Sequence, residues 1–193
     1  MDRAVAVPTT PLTHDPSTGM SAAKVPFVVS EFVRWGDIDL AGIICYGAYI
    51  RFFELAETEI FRAAGLPFKE MFERYDIWLP RKVMHTEFHS PALLDERLAV
   101  VTYFTRIGTT SLTINFDVMD AGRDLVHATA YQVLVCVTRD GLAKRPLPGE
   151  IVEAITPWVM TPAEARESAK RAQPGLSPGA AGTGSAGTRA SSR

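Results

Sequence analysis

The chain has 193 residues, of which 20 are basic and 22 acidic, and its formal charge is −2. This length fits one domain with a sizeable core, and the balanced charge excludes the basic surface that nucleic-acid binding requires. The apolar runs are too short to cross a membrane. We therefore expect neither a nucleic-acid partner nor a membrane partner.

The two ends of the chain differ in composition from the middle. Residues 1–24 are rich in Pro, Thr, Ala and Ser, and their apolar patch, Ala4 to Val7, is shorter than the roughly 7–15 residues of a secretory signal core. Residues 173–193 form a Gly/Ser/Ala/Pro tract that cannot bury enough surface to fold. We expect a disordered extension over 1–24, in which Met20 is a second candidate start, and a disordered tail over 173–193.

The chain contains two cysteines, Cys45 and Cys136. Two thiols do not make a disulfide framework, and a domain of this size does not need one. Cysteine usage therefore favours a reducing compartment, and we expect a cytoplasmic protein.

The first predicted element is a strand over Phe27–Trp35, which is rich in β-branched and aromatic residues. An acidic turn follows, and apolar residues at helical spacing then predict a helix over Tyr46–Ala64, which Gly65 and Pro67 end. Further apolar residues such as Leu55 widen the apolar surface of this helix beyond one stripe. We therefore expect the helix to be covered on most sides.

The second half of the chain is mainly β-structure. A short helix is predicted over Phe68–Arg74. After this helix, apolar and polar residues alternate along the chain. The alternating segments predict strands over Arg81–Phe88, Arg97–Arg106, Ser111–Met119 and Leu125–Arg139. Thr161 to Glu164 has the form of a capping box, which predicts a short terminal helix over residues 161–172.

One long helix followed by an antiparallel meander indicates an α+β domain, which we place at residues 25–160. A long helix that is apolar on most faces needs a sheet curved around it. The apolar surface of this helix also exceeds what one sheet of this length can cover. We therefore expect a homodimer or a homotetramer.

The turn before the long helix holds the strongest functional signal. It places Asp39 near the start of a helix, where backbone N–H groups have no intrahelical partner and the dipole adds about half a positive charge. Such amides can hold a polarised carbonyl oxygen while a nearby carboxylate attacks or directs water. A carboxylate near free helix amides suits hydrolysis of an activated acyl group. Aspartates at such junctions also serve simply as caps.

This segment resembles the active-site region of the 4-hydroxybenzoyl-CoA thioesterase family of hotdog-fold acyl-CoA thioesterases. The matching residues are Gly36-Asp37-Ile38-Asp39, Ala41-Gly42-Ile43-Ile44, Tyr46, Tyr49, Phe52-Phe53-Glu54 and Ala63-Ala64-Gly65-Leu66-Pro67. Weaker similarity in strand lengths and turn positions extends from about Val25 to Val159. The resemblance implies a hotdog fold, in which an antiparallel sheet wraps around a long central helix, and an activity that needs no metal and no organic cofactor.

The resemblance also implies roles for residues of the turn. Asp39 matches the catalytic carboxylate of the family, and Tyr46 matches the position whose backbone N–H points at the thioester oxygen. Related Tol-Pal-associated thioesterases have a histidine where this chain has Tyr46, so this chain follows the 4-hydroxybenzoyl-CoA type. Gly42 is either a plain turn glycine or a residue whose missing side chain lets the thioester approach backbone amides. Asp37 is expected to organise the loop.

The contacts for the CoA phosphates follow the family less closely. The family prototype has a basic run where this chain has Gly108 to Ser111, so hydroxyls and backbone amides replace charges here. The candidate CoA-binding residues are Arg106, Thr109, Thr110 and Ser111. Alternatively, Arg81 or Lys82 holds CoA, or the acyl carrier is another pantetheine thiol.

Other groups are weaker candidates for chemistry. Cys45 could be a nucleophile at the helix start, but no histidine partner is evident, and a small apolar role fits it better. Glu57 and Glu59 on the long helix are the alternative general bases. His85 and His89 are four residues apart, which on a strand separates them by roughly 13 Å and excludes a shared ion. We therefore expect no metal site.

These observations predict an acyl-CoA thioesterase that hydrolyses an acyl- or aryl-CoA thioester to the free acid and CoA. Asp39 would act as nucleophile or as general base, with the helix amides polarising the carbonyl. Two alternatives stay open: a thioesterase acting on acyl carrier protein, and a non-catalytic hotdog module that binds acyl thioesters.

Overall fold

The computed structural model of the protein describes residues 24–122 and 125–172. The strands, in chain order, are β1 (Phe27–Phe32), β2 (Ile77–Trp78), β3 (Arg81–Phe88), β4 (Arg97–Ile107), β5 (Ser111–Asp120), β6 (Val126–Val135) and β7 (Val137–Thr138). The helices are α1 (Tyr49–Ala63), α2 (Phe68–Tyr75), α3 (Gly149–Ile155) and α4 (Pro162–Ala172), with single 3₁₀ turns at Trp35–Asp37, Tyr46–Ala48 and Thr156–Trp158. The two segments predicted to be disordered lie outside the described residues, except for Lys24.

Five strands form one antiparallel sheet in the order β1-β4-β5-β6-β3. Strands β4, β5 and β6 are sequential neighbours at its centre, while β1 pairs with β4 and β3 pairs with β6. A separate two-stranded ribbon joins β2 to β7. The alternation predicted for β5 is found, since Leu112, Ile114, Phe116 and Val118 are all buried in the main core.

Helix α1 lies on one face of the sheet and supplies much of this core. Its buried apolar residues are Tyr49, Phe52, Phe53, Ala56, Ile60 and Phe61. Phe53 stacks on Phe116 of β5 with ring centroids 5.0 Å apart, and Phe61 meets Phe104 of β4 edge-on at 5.9 Å. Each fully buried side chain of this size contributes about 1.5–3 kcal/mol. The long helix against an antiparallel sheet is the hotdog arrangement, and the predicted α+β class is confirmed.

Helix α4 covers part of the opposite face of the sheet. It packs on an apolar cluster that includes Val101, Tyr103 and Met119. Arg166 of α4 donates two hydrogen bonds, of 2.9 and 3.0 Å, to the buried carboxylate of Asp117, and the hydroxyl of Tyr103 donates a third at 3.3 Å. The predicted terminal helix is therefore fixed to the sheet by both apolar and charged contacts.

Two predicted strand boundaries are wrong for identifiable reasons. The first strand ends at Phe32, because the chain turns through the 3₁₀ segment Trp35–Asp37. The predicted strand Leu125–Arg139 divides at Cys136, whose N–H donates to the carbonyl of Thr110 at 2.8 Å. Beyond this point the chain leaves β6 and pairs with β2 as β7.

Strand β3 forms one edge of the sheet. It pairs with β6 on one side, and no strand in the described parts of the chain pairs with its other side. Its residues Val83, Met84 and Phe88 are 38%, 41% and 52% exposed, and Ile50 on α1 is 42% exposed. A long unpaired edge with exposed apolar side chains is a surface suited to pairing with another strand.

No helix within residues 24–122 or 125–172 combines the length and the apolar character that crossing a membrane requires.

Candidate active site

The backbone of the turn fixes the position of Asp39. Ile38 and Ile44 pair across the base of the turn. The N–H of Asp39 donates to the carbonyl of Ile43 at 3.0 Å, and the N–H of Gly42 donates to the carbonyl of Asp39 at 3.0 Å. Gly42 has a φ of +76°, a left-handed conformation that favours glycine. The turn is thus a closed hairpin with Asp39 at its start.

Asp37 anchors this turn to the first full turn of α1. Its carboxylate is buried and accepts hydrogen bonds from the backbone N–H of Arg34 at 2.8 Å and from Nε of Arg51 at 3.2 Å, and it also pairs with Nη2 of Arg51. Burial alone would raise the pKa of Asp37, but the hydrogen bonds and the positive charges of both arginines hold that pKa below its usual value. The expected role of Asp37 in organising the loop agrees with these contacts.

The carboxylate of Asp39 and the first amide of the helix both have unused hydrogen-bonding capacity. Oδ1 of Asp39 accepts from the N–H of Ala41 at 2.8 Å, and Oδ2 has no partner among the described residues. The helical segment begins at Tyr46, whose N–H finds no acceptor within 24–122 or 125–172. A carboxylate oxygen and an N–H group are therefore available at one junction of turn and helix.

Asp39 and Tyr46 line a common cleft of about 410 Å³. Tyr49, Phe88 and Ser90 form part of its remaining wall, and the rings of Tyr49 and Phe88 lie 5.2 Å apart. Burial, with a smaller effect from Glu96, raises the pKa of Tyr49 to about 12. The Tyr49 phenol is therefore protonated at neutral pH, and its ring forms part of the cleft wall.

The remaining candidates of the turn and helix lie outside this cleft. Gly42 does not line it, and a Cβ at this position would meet no atom within 4 Å, so the left-handed turn is sufficient to explain the glycine. Close approach of a thioester to Gly42 stays a prediction. Cys45 is a free, half-buried thiol, and Glu59 pairs with Arg62 at 3.3 Å on the outer surface of α1.

A buried histidine that the sequence does not single out supports one wall of the cleft. Nδ1 of His127 on β6 lies 3.3 Å from the carbonyl oxygen of Ser90 and 3.1 Å from that of Pro91, so this nitrogen carries the hydrogen. The carbonyl of His127 accepts from the N–H of His89 at 2.9 Å. Its Nε2 is buried without a partner in the described structure. One residue of β6 therefore holds the turn that follows β3.

The side chain of Glu57 is buried in the core. It shares a helical stripe with Phe53 and Phe61, and Arg81 of β3 forms an ion pair with its carboxylate. Nε of Arg81 also donates to Oε1 of Gln132 at 2.8 Å. Burial raises the pKa of Glu57, while the pairing with Arg81 opposes that rise. Because Glu57 is paired and does not line the Asp39 cleft, its arrangement favours a structural role.

The candidate CoA-binding residues lie at the other end of the sheet from Asp39. Arg106 is near the end of β4, and Thr109 and Thr110 lie in the hairpin that leads to Ser111 at the start of β5. On β6, the partner of Ser111 is Val135, whereas the partner of the cleft residue Phe88 is Ala128. Seven residues of strand span about 23 Å. Within one copy of the chain, these residues therefore lie far from Asp39.

Within the described ranges, no group of three or more His, Cys, Asp or Glu side chains could hold a metal ion. His85 bonds to Glu87 at 3.1 Å, and His89 bonds to Thr129 at 2.9 Å, so the two histidines have different partners.

Comparison with known families gives the class of the protein. The model of the thioesterase-like superfamily matches residues 33–155, which is more than half of the chain. Together with the hotdog fold, this match defines a thioester hydrolase. The chain belongs to the thioesterase-like superfamily.

Curated relatives agree with this assignment. The acyl-CoA thioester hydrolase YbgC of Escherichia coli O157:H7 is 30% identical over 120 residues, which cover 62% of this chain and 88% of the relative. The 1,4-dihydroxy-2-naphthoyl-CoA hydrolase of Nostoc punctiforme is 26% identical over 145 residues, which cover 75% of this chain and 94% of the relative.

Solved structures share the fold. A thioesterase superfamily protein from Jannaschia sp. CCS1 matches with a TM-score of 0.64 and 25% identity over 70% of this chain and 94% of its own. A 1,4-dihydroxy-2-naphthoyl-CoA thioesterase from Synechocystis matches with a TM-score of 0.63 and 22% identity over 67% of this chain and 95% of its own.

Proposed function

We propose that this protein hydrolyses acyl-CoA thioesters, with Asp39 as the catalytic carboxylate. The observation that carries the proposal is the shared cleft of Asp39 and Tyr46. Among the described residues, neither Oδ2 of Asp39 nor the backbone N–H of Tyr46 has a hydrogen-bond partner there. A thioester carbonyl that accepts a hydrogen bond from the Tyr46 amide becomes more electrophilic. The Asp39 carboxylate would share the cleft with the reacting carbon.

Two mechanisms fit these groups, and they differ in what Asp39 does. As a nucleophile, Asp39 would attack the carbonyl carbon, expel the CoA thiolate and form an anhydride that water hydrolyses. As a general base, it would take a proton from the water that attacks the same carbon. Both routes develop negative charge on the carbonyl oxygen, which the helix amides and the helix dipole stabilise. The chemistry in either case needs only residues of the chain and water.

Coenzyme A is the favoured acyl carrier because both curated relatives above are named as acting on CoA thioesters. Acyl carrier protein is the second candidate. Arg106, Thr109, Thr110 and Ser111 remain the proposed contacts for the pantetheine or nucleotide end of the substrate.

A second copy of the chain would complete this site. A two-fold axis that extends the sheet across the free edge of β3 pairs two copies of β3 in antiparallel fashion. Such pairing places the Arg81 end of one strand beside the Phe88 end of the other. The hairpin at Thr109 of the second copy would then lie at the same end of the combined sheet as the Asp39 cleft of the first, without the separation of about 23 Å along the strands that one copy has. The dimer is accordingly part of the proposed mechanism.

Thiol release from a panel of acyl-CoAs and matched acyl carrier proteins tests the proposal. We expect turnover with at least one CoA thioester and weaker turnover with the same acyl group on the carrier protein. Faster turnover on the carrier protein would change the substrate class. Tight binding without turnover of any thioester would favour the non-catalytic module.

A further inference from the structure

The ribbon of β2 and β7 lies beyond the Arg81 end of β3 and next to the hairpin at Thr109. The N–H of Cys136, just before β7, donates to the carbonyl of Thr110 at 2.8 Å, and the N–H of Leu147 donates to the carbonyl of Thr109 at 2.8 Å. In the chain, β7 follows β6 and β2 precedes β3, whereas the hairpin joins β4 and β5. The ribbon therefore lies nearer the free edge of the sheet than the hairpin does.

One face of this ribbon carries an aromatic ring and two cations. Trp78 and Lys144 pair with Val137 from opposite sides, and the side chains of directly paired residues in antiparallel strands share a face. Arg139 is two residues beyond Val137 and therefore on the same face, where its guanidinium lies 4.8 Å from the centre of the Trp78 ring. Two strand spacings, about 10 Å, separate Trp78 from Lys144. We call Trp78, Arg139 and Lys144 the ribbon platform.

The two cations of the ribbon platform have no acidic partner in the described structure. Arg139 and Lys144 are exposed, and neither side chain forms an ion pair or a hydrogen bond with another described residue. Trp78 is 37% exposed, although Phe72 of α2 packs edge-on against it with ring centroids 5.1 Å apart. An exposed indole beside two unpaired cations can stack on a nucleotide base and pair with its phosphates.

We infer that the ribbon platform binds the nucleotide end of CoA, with the adenine packed against Trp78 and the phosphates paired with Arg139 and Lys144. The hairpin at Thr109 beside it would then contact the pantetheine arm. In the dimer proposed above, the ribbon of one copy lies at the same end of the combined sheet as the Asp39 cleft of the other. Selectivity for CoA over acyl carrier protein would reside in this platform, because the carrier protein brings a single phosphate and no adenine. The inference rests on the proposed thioesterase function and names the groups that recognise its acyl carrier.

The test compares an acyl-CoA with the pantetheine thioester of the same acyl group, which keeps the reacting bond but lacks the nucleotide. For the wild type, we expect kcat/KM for the CoA thioester to exceed that for the pantetheine thioester about tenfold or more. The double variant Arg139→Gln with Lys144→Gln should reduce this ratio to about threefold or less through the KM of the CoA thioester, and Trp78→Leu should also reduce it. Arg97→Gln removes an exposed cation at the start of β4, with β5 and β6 between it and β3, and should keep the wild-type ratio.

An unchanged ratio in the double variant, or a wild type that does not prefer the CoA thioester, would overturn the inference. A ratio that falls in Arg106→Gln but not in the platform variants would assign the nucleotide to the hairpin and overturn it as well. Calorimetric binding of adenosine 3′,5′-bisphosphate needs no turnover, and the wild type should bind this nucleotide about tenfold more tightly than the double variant does. If no thioester is hydrolysed, the proposed function fails, while equal affinities of wild type and double variant for the bisphosphate would refute the platform itself.

Discussion

Arg51 in the first turns of α1 holds the carboxylate of Asp37, which lies two residues before Asp39. The guanidinium of Arg51 also donates to the carbonyl of Phe32 at 3.3 Å, so it joins the end of β1, the acidic turn and the helix. The position of Asp39 relative to the helix amides therefore depends on an ion pair in which Asp39 takes no part.

Arg51→Met should release the turn and leave Asp37 buried without its counter-charge. Because the Arg51 side chain is one-third exposed, we expect a loss of about 1–3 kcal/mol of unfolding free energy, below the range for fully buried pairs. Turnover should fall further than this loss of stability alone would cause. Arg62→Met is the control, since within residues 24–122 and 125–172 the side chain of Arg62 pairs with Glu59 alone, at the surface. Equal turnover in both variants, each fully folded, would contradict the positioning role.

The lowered pKa of Asp37 predicts the direction in which the stability of the protein changes with pH. A carboxyl group with a lowered pKa in the folded state stabilises the protein above its unfolded pKa of about 3.9, and this contribution is lost as the pH falls through the folded value. The difference in melting temperature between wild type and Asp37→Asn should be constant at neutral pH and shrink below about pH 4. A difference that grows on acidification would show that the pair does not stabilise the charged form.

Glu57 should show the opposite dependence, because burial raises its pKa. Its contribution to stability is fully present below the unfolded pKa of about 4.3 and is lost as the pH rises through the folded value. Glu57→Gln should therefore gain stability relative to wild type as the pH rises above about 4. Thermal melts of the two proteins across this range check the sign, and Glu57→Gln should keep most of its thioesterase activity.

His127 gives a test of how the cleft wall is held. In His127→Asn, the amide nitrogen can take the place of Nδ1 and donate to Ser90 and Pro91, whereas in His127→Gln it is one bond further away. Both variants lose ring volume and should melt at lower temperatures. His127→Asn should nevertheless keep KM within about threefold of wild type, while His127→Gln should raise KM about tenfold, as expected for a lost buried hydrogen bond. Identical KM values in the two variants would mean that packing alone matters here.

The exposed edge of β3 predicts an obligate dimer. Exposed apolar residues on β3 and Ile50 on α1 would be buried together by antiparallel pairing of two copies. Val83→Lys should weaken the dimer by placing a charge at this edge, and activity should fall with dimer content on dilution. Sedimentation equilibrium at micromolar concentration checks this. A folded monomer of 21.1 kDa with full activity would contradict it.

The features that the sequence predicts are those that depend on local pattern. Strict alternation predicts β5, and the helical spacing of aromatic residues predicts α1 to within a few residues. Glu57 could also have been placed in the core, because it is four residues from both Phe53 and Phe61 on the buried stripe. The role of His127 depends on the register of β3 against β6, and no hairpin turn joins these two strands to set that register in the sequence.

The Asp39 turn is predictable from the sequence only in part. Its aspartate, its glycine and the helix start are visible in the sequence, because each has a local conformational reason. The ion pair of Asp37 with Arg51 is not visible in advance, since fourteen positions separate the two residues and the chain reverses between them. Likewise, only the sheet order reveals that Thr109 to Ser111 lie far from Asp39 within one copy.

The measurement that tests the central claim most directly is the turnover of Asp39→Asn. Asparagine keeps the oxygen that accepts from Ala41 and preserves the turn, but it removes the charge and the basicity. We expect kcat to fall about 10²–10⁴-fold with thioester binding and melting temperature nearly unchanged, while the control Asp140→Asn, on an exposed loop, keeps wild-type turnover. Pure, folded Asp39→Asn that retains more than about a tenth of wild-type kcat would contradict the assignment of Asp39 as the catalytic carboxylate.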